Sequence, residues 1–199
     1  MQKTILSLII GAAAALACAA PAFAAPAQVI IIRHAEKPAS GSELSEQGFK
    51  RAEALVWFFR AEPAVTGYGA PAAIYAAAPK HEDSSVRSIQ TVTPLARALN
   101  ITINSAFTRG QAHKLAVSIM ENPAYEGRMV LICWQHEAIT NVVRELAEYN
   151  TPGQAAQGLL PGPWPAGTFD RAWLLNFSNG RLVSFRDIPQ RSLPGDSLQ

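Results

Sequence analysis

The amino-acid sequence predicts an α/β protein, a three-layer α/β/α sandwich around a mostly parallel central sheet. Val29-Ile30-Ile31-Ile32 is a run of four β-branched residues without polar alternation, the pattern of a strand covered on both faces. Met129-Val130-Leu131-Ile132-Cys133 is a second apolar run of the same kind. Segments of helical periodicity alternate with such runs, which suits helices laid on both sides of one sheet.

Taken in order, the chain opens with a segment that reads as a secretory signal. Lys3 is its single basic residue, Ile5 to Ala17 is apolar, and Ala22-Phe23-Ala24 is a small-residue cleavage site. Residues 1–24 are therefore expected to be removed, leaving a mature chain from Ala25 in a periplasmic or secreted compartment. The apolar stretch is short and dilute in large residues, which argues against stable membrane insertion. Leu16-Ala17-Cys18 weakly suggests a lipoprotein site, but Ala15 stands where a bulky aliphatic residue belongs.

The domain proper is expected over residues 25–189. The strand at 29–32 leads through a loop to a helix from about Ser45 to Arg60. A strand near 73–77 follows, then a helix after Ser85 carrying Val92, Leu95, Ala96 and Leu99 on one face. A short strand at Ile101 to Ile103 and a helix near Gln111 to Glu121 precede the strand at 129–133. Ile139, Val142, Val143 and Leu146 then mark the next helix. Tyr149 to Phe169 is rich in Pro and Gly and reads as an irregular loop in which Trp164 packs on the scaffold or, as the alternative, covers the active site. Ala172 to Phe177 and Arg181 to Phe185 form a β-hairpin through Ser178-Asn179-Gly180. Residues 190–199 are expected to form a loose tail.

Three sites along this pattern carry chemistry. Arg33-His34 falls where the first strand ends, and in open α/β sheets ligands collect at the carboxyl ends of strands. A neutral imidazole is a nucleophile, and a guanidinium fork matches phosphate oxygens. One Arg-His pair alone would more simply be a charged surface loop. Arg87 falls in the first turn of the helix after Ser85, where a cation is unfavourable against the helix dipole unless an anion binds nearby. Taken singly, it reads equally well as a solvated residue or a partner of Glu82 or Asp83. His136 ends the second apolar run as His34 ends the first, and the four residues together are far more specific than any one of them.

On these residues the sequence resembles the histidine phosphatase superfamily, which includes the phosphoglycerate mutases. That family carries an Arg-His near its amino terminus, an Arg followed by Gln-Thr, and a second His after a later strand. Arg33-His34, Arg87 with Gln90-Thr91, and His136 match in order over roughly residues 28–147, and Leu44-Ser45-Glu46-Gln47-Gly48 resembles the start of its first helix. The resemblance implies a phosphoglycerate mutase-like fold, a phosphohistidine formed on His34, and binding of the phosphoryl oxygens by Arg33, Arg87 and His136. Ala35 stands where the family usually has Gly.

One departure concerns the acid that protonates the leaving alkoxide, since Asn100 to Met120 contains no carboxylate. Glu137 is the best substitute, with Glu36, Glu82 and Asp83 as alternatives; equally, Glu137 reads as a dipole-stabilising acid in the first turn of a helix. The imidazoles should have protonation preferences pushed apart, His34 neutral to attack and His136 cationic to bind. His81 reads as a loop residue with some chance of lining the pocket, and His113 as exposed. Cys133 reads as a core thiol, with a pocket role near His136 as the alternative, and no His or Cys spacing resembles a zinc site.

At 199 residues and 49% hydrophobic, the chain can bury one substantial core. Removing residues 1–24 takes Lys3 and no acid, so 17 basic and 15 acidic residues become 16 and 15, a balance that gives no support for nucleic-acid binding. The leading expectation is an exported, metal-independent phosphomonoesterase that needs no cofactor and acts on a phosphorylated small molecule. In size, signal and its Arg-His-Ala-Glu motif it resembles the lipopolysaccharide core heptose phosphatases, while the missing acid also suits a phosphohistidine phosphatase. A catalytically silent protein that binds a phosphorylated ligand is the competing expectation. Oligomeric state is left open by the sequence.

Overall fold

The computed structural model describes residues 25–81, 84–150 and 158–197, so the expected secretory segment lies outside the described residues. Among the described residues six strands form one sheet in the order β3-β2-β4-β1-β5-β6. They are β1 (Gln28–Arg33), β2 (Ala73–Ala76), β3 (Ile103–Asn104), β4 (Met129–Trp134), β5 (Arg171–Ser178) and β6 (Arg181–Pro189). The first four pair in parallel, and the β5–β6 hairpin adds antiparallel to β1. The helices are α1 (Glu46–Ala61), the single-turn α2 (Pro63–Thr66), α3 (Arg87–Leu99), α4 (Ala112–Met120) and α5 (His136–Glu148).

The apolar runs are buried on both faces because successive side chains leave a strand on opposite sides. Val29 and Ile31 join Val130, Ile132 and Trp134 in a core closed by Leu115 and Ile119 of α4 and Ile139, Val142 and Leu146 of α5. Ile30 and Ile32 join Leu131 and Cys133 on the other face, under Leu55 and Phe59 of α1 and Val92 and Leu95 of α3. This is the expected three-layer sandwich.

Local chemistry sets the element ends. Ser45 caps α1, its Oγ accepting from the Gly48 amide at 3.1 Å, as the Ser-Glu lead-in suggests. At the start of α3 the two serines divide their roles. Ser85 Oγ accepts from the Arg87 amide at 3.4 Å, Val86 at the cap position offers no side-chain bond, and Ser84 Oγ accepts from the His81 amide within its own turn. Asn100 ends α3 in the left-handed region at φ 54°, and the Ile101 amide turns back to the Ala96 carbonyl at 2.9 Å. That bond occupies the first residue of the strand expected at 101–103, and β3 begins instead at Ile103. Asn179 and Gly180, at φ 50° and 70°, form the two-residue turn that matches the twist of the β5–β6 hairpin.

The segment after Pro189, expected to be loose, is tethered up to Ser197. The Gln190 amide donates to the Asp170 carbonyl at 2.7 Å, and Asp196 accepts from the Ser192 and Leu193 amides while its carboxylate is paired with Arg51. Composition could not reveal this, because the partners lie far away along the chain. Trp164 packs on the scaffold, its ring centroid 4.6 Å from that of Trp173.

Gly48 reports how closely α1 meets the loop after β1. A Cβ there would lie 2.3 Å from the backbone oxygen of Glu36. Alanine in a helix ordinarily stabilises relative to glycine by up to about 1 kcal/mol. Here Gly48→Ala is expected to destabilise by about 1–3 kcal/mol in urea unfolding, whereas Gly67→Ala, with its nearest atom at 3.9 Å, causes no such loss.

Candidate active site

β1 and β4 run side by side with Arg33 opposite Trp134, and the His34 amide extends the ladder by donating to the Trp134 carbonyl at 3.0 Å. His34 and His136 thus emerge at the carboxyl ends of adjacent parallel strands, as the motif spacing predicted. His34 is 5% exposed. Its Nδ1 lies 2.8 Å from the Ala35 carbonyl oxygen. A carbonyl only accepts, so the proton resides on Nδ1 and the Nε2 lone pair is free. Burial drives the imidazole pKa down to about 4, against the Ala35 hydrogen bond, and the charges of Arg33, Arg87 and His136 add to the effect.

Arg33 is 2% exposed. Its guanidinium carbon lies 3.9 Å from the centroid of the Phe169 ring, and Nη1 donates to the carbonyls of Ala166 and Thr168. Burial lowers its pKa to about 10, with Glu137 and Glu36 opposing, so the cation persists at neutral pH. Among the described residues its buried Nε has no hydrogen-bond partner, and neither has the buried Nδ1 of His136. Such orphaned polar atoms are costly in a folded protein and mark places where a ligand can supply what is missing.

Arg87 opens α3 and reaches back across the loop that follows β1. Its Nε donates to the Glu43 carbonyl at 2.8 Å, Nη2 to the Gly41 carbonyl, and Nη1 lies 3.3 Å from Ser85 Oγ. Gln90 and Thr91, known from sequence only as part of the motif, dock the same loop. Thr91 Oγ1 accepts from the Ala35 amide at 2.9 Å, and Gln90 Oε1 from the Leu44 amide at 2.9 Å. Thr91 in turn donates to the Arg87 carbonyl at 2.7 Å. One helix turn therefore fixes both Arg87 and the backbone beside His34.

His136 begins α5. Burial lowers its pKa, Arg33 adds to this, Glu137 opposes and Lys37 adds a little more. Both imidazoles therefore shift the same way, contrary to the expectation that the site pushes them apart. Burial and the neighbouring cations leave neither histidine a strong reason to take a proton. A phosphate dianion between them would change that, because an opposite charge favours the cationic form.

Glu137 sits with Oε2 3.3 Å from His136 Nδ1, an ion-pair distance without hydrogen-bond geometry. Burial pushes its carboxyl up, but its own backbone N–H, His136, Arg109 and Arg33 outweigh burial and hold it below the usual carboxylate range. Its side chain is 58% exposed. Glu36 is committed elsewhere. Its carboxylate takes Arg51 Nε at 3.0 Å and Nη2 at 2.7 Å, while Arg51 Nη1 and Nη2 reach Asp196 at 2.8 and 2.7 Å. Glu82 and Asp83 lie outside the described residues.

The remaining candidates fall where their surroundings put them. His81 is exposed on a cleft beside the site, and exposed His113 pairs with Glu145 at 2.8 Å. Cys133 is a buried core residue whose thiol is pushed well up by burial. Among the described residues no group of three His, Cys, Asp or Glu could hold a metal ion, and no helix is long and apolar enough to cross a membrane. Phe169, Arg51 and Asp196 had no sequence signal of their own, since each acts through a partner distant in the chain.

No protein-family model and no curated protein sequence matches the chain. Solved structures do match it. A protein assigned as the phosphohistidine phosphatase SixA from Agrobacterium tumefaciens is 19% identical with a TM-score of 0.51, over 81% of this chain and 98% of that one. A protein histidine phosphatase SixA complexed with tungstate is 15% identical with a TM-score of 0.53, over 82% and 97%. Phosphoglycerate mutase from Plasmodium falciparum is 14% identical with a TM-score of 0.51, over 86% and 96%. At these identities the likeness is one of fold. The chain has the fold of the histidine phosphatases and phosphoglycerate mutases, the fold its motifs implied.

The buried tautomer makes a direct prediction. In ¹⁵N-edited NMR of the ligand-free protein, His34 should remain the Nδ1–H neutral form down to about pH 4. Because its folded pKa lies below the unfolded 6.5, the unfolded chain binds more protons between these values. The stability His34 contributes is complete above pH 6.5 and is lost as pH falls toward 4. Titration near 6.5 would contradict the site as described.

Proposed function

We propose that the protein is an exported phosphomonoesterase that forms a phosphohistidine on His34. The observation that carries this reading is His34 itself, buried, neutral, with Nε2 free and within the field of Arg33, Arg87 and His136. The fold shared with histidine phosphatases supports it, and so does the tungstate held by one of those proteins, a tetrahedral oxyanion like phosphate. Export rests on the leader at residues 1–24 alone.

The chemistry follows from the arrangement. His34 Nε2 attacks phosphorus, the P–N bond forms, and the ester P–O bond breaks with its electron pair on the departing alkoxide, which takes up a proton. Water then attacks the phosphohistidine, loses a proton, and releases inorganic phosphate and neutral His34. Throughout, the Ala35 carbonyl keeps the Nδ1 proton in place. Arg33 and Arg87 neutralise the equatorial oxygens and His136 joins them once the dianion has raised its pKa, so the catalysis is placement and electrostatics. An ionised Glu137 is ready to take a proton from water in the second half of this cycle. In the first half it is a poor donor, which favours substrates whose leaving group needs little protonation, such as aryl phosphates or the phosphoramidate phosphohistidine. The same observation favours the competing reading, a protein that holds a phosphorylated ligand without turnover.

The mature protein is expected to hydrolyse an aryl phosphate in the presence of chelator, to trap a phosphoenzyme on acid quench, and to lose both when His34→Ala is made. Tight phosphate binding without turnover in the wild-type chain would establish the binder instead. If Glu137 also serves as the acid, Glu137→Gln lowers kcat for alkyl esters by about tenfold or more beyond its effect on aryl esters. Equal losses with both ester classes would remove it from that role.

A further inference from the structure

Two clefts flank the phosphoryl site. The larger, about 700 Å³, is lined by Glu36, Lys37, Glu46, Lys50, Phe169 and Leu193 among others. Its charges are mixed and largely spent, since Lys50 pairs with Glu46 at 2.7 Å and Glu36 is held by Arg51. The second, about 420 Å³, is lined by Lys80, His81, Ser85, Thr108, Arg109 and Gln135 among others. It adjoins the phosphoryl site at two points. Ser85 Oγ lies 3.3 Å from Arg87 Nη1, and Gln135 immediately precedes His136.

The backbone under this second cleft is held in place. An isolated parallel bridge joins Ala78 to Thr108, the Ala78 amide donates to the Phe107 carbonyl at 2.8 Å, and Gln111 Oε1 accepts from the Thr108 amide at 2.9 Å. The Arg109 carbonyl accepts from Trp134 Nε1 at 3.4 Å, which ties the same loop to the end of β4. The loops carrying Lys80 and Arg109 are therefore fixed beside each other. Among the described residues neither side chain has an acidic partner within salt-bridge distance. Two cations on adjacent braced loops, in no salt bridge among the described residues although Arg109 lies within the field of Glu137, and next to a third that grips a phosphoryl group, form a place for a second negative charge on the same molecule.

We propose that this cleft receives the alcohol half of the substrate, and that Lys80 and Arg109 bind a second anionic group on it, a carboxylate or a further phosphate. The substrate class is then a small phosphomonoester with two anionic ends. This rests on the phosphatase reading and narrows it, because a neutral alcohol would leave both cations facing solvent. His81, Ser85 and Thr108 supply the hydrogen-bonding walls between the two charges.

The test compares phenyl phosphate with 4-carboxyphenyl phosphate, two aryl esters that differ by one carboxylate. The mature wild-type protein is expected to favour the carboxylated ester in kcat/KM by about tenfold or more, mainly through KM. In Lys80→Ala/Arg109→Ala the preference should fall to about parity, and in Arg109→Glu it should reverse, with unchanged circular dichroism confirming the fold. Added salt should erode the wild-type preference, because the two cations are exposed. Hydrolysis of both esters with no preference, or a preference that survives the double substitution, overturns the cleft assignment and leaves the phosphatase reading intact. No hydrolysis of either ester by the wild-type protein overturns the phosphatase reading itself.

Discussion

The parallel pairing of β1 with β4 is the constraint on which the site depends. It sets Arg33 opposite Trp134 and carries the ladder one residue further, through the bond from the His34 amide to the Trp134 carbonyl. Two histidines about a hundred residues apart in sequence then leave the same edge of the sheet, from neighbouring strands whose backbones run roughly 4.8 Å apart. The register is held because both faces of these strands are buried. A slip of one residue would exchange the side chains packed under α1 and α3 with those packed under α4 and α5.

That geometry gathers positive charge in a buried place, and the scaffold has to tolerate it. Arg33 is accommodated by the face of Phe169 and by backbone carbonyls, which attract the cation without neutralising it. Arg87 is treated in the same way by the carbonyls of Gly41 and Glu43. Had carboxylates been placed there, the guanidiniums would be spent in ion pairs. With neutral acceptors they keep their charge available to a ligand. The cost of this arrangement appears at the imidazoles, which both respond to burial and to the surrounding cations by giving up their protons. For His34 that outcome suits the proposed attack on phosphorus.

The loop after His34 is braced from three sides. Thr91 holds the Ala35 amide, Gly48 lets the backbone of α1 approach Glu36, and the Glu36 carboxylate grips Arg51, which is gripped in turn by Asp196. The Glu36–Arg51–Asp196 group is nearly enclosed, and removing one member of such a buried set typically costs about 3–5 kcal/mol, because the remaining charge is left unpaired. The segment after β6 is therefore part of the support for the loop beside His34. Glu36, which by position beside His34 could have been taken for a proton donor, holds the loop instead.

The sequence by itself determined the order of elements, the layered fold and the set of Arg33, His34, Arg87 and His136. Those features are written in local apolar periodicity and in a spaced motif, both of which survive without knowledge of distant contacts. It also placed Trp164 on the scaffold and Cys133 in the core, because apolar character alone decides such burial. Only the tertiary structure decided the roles of Arg51, Asp196 and Phe169, the tethering of residues 190–197, and the common direction in which the two imidazoles shift. Each of these depends on pairs distant in the chain or on the summed field of several buried charges, and neither quantity leaves a trace in local composition.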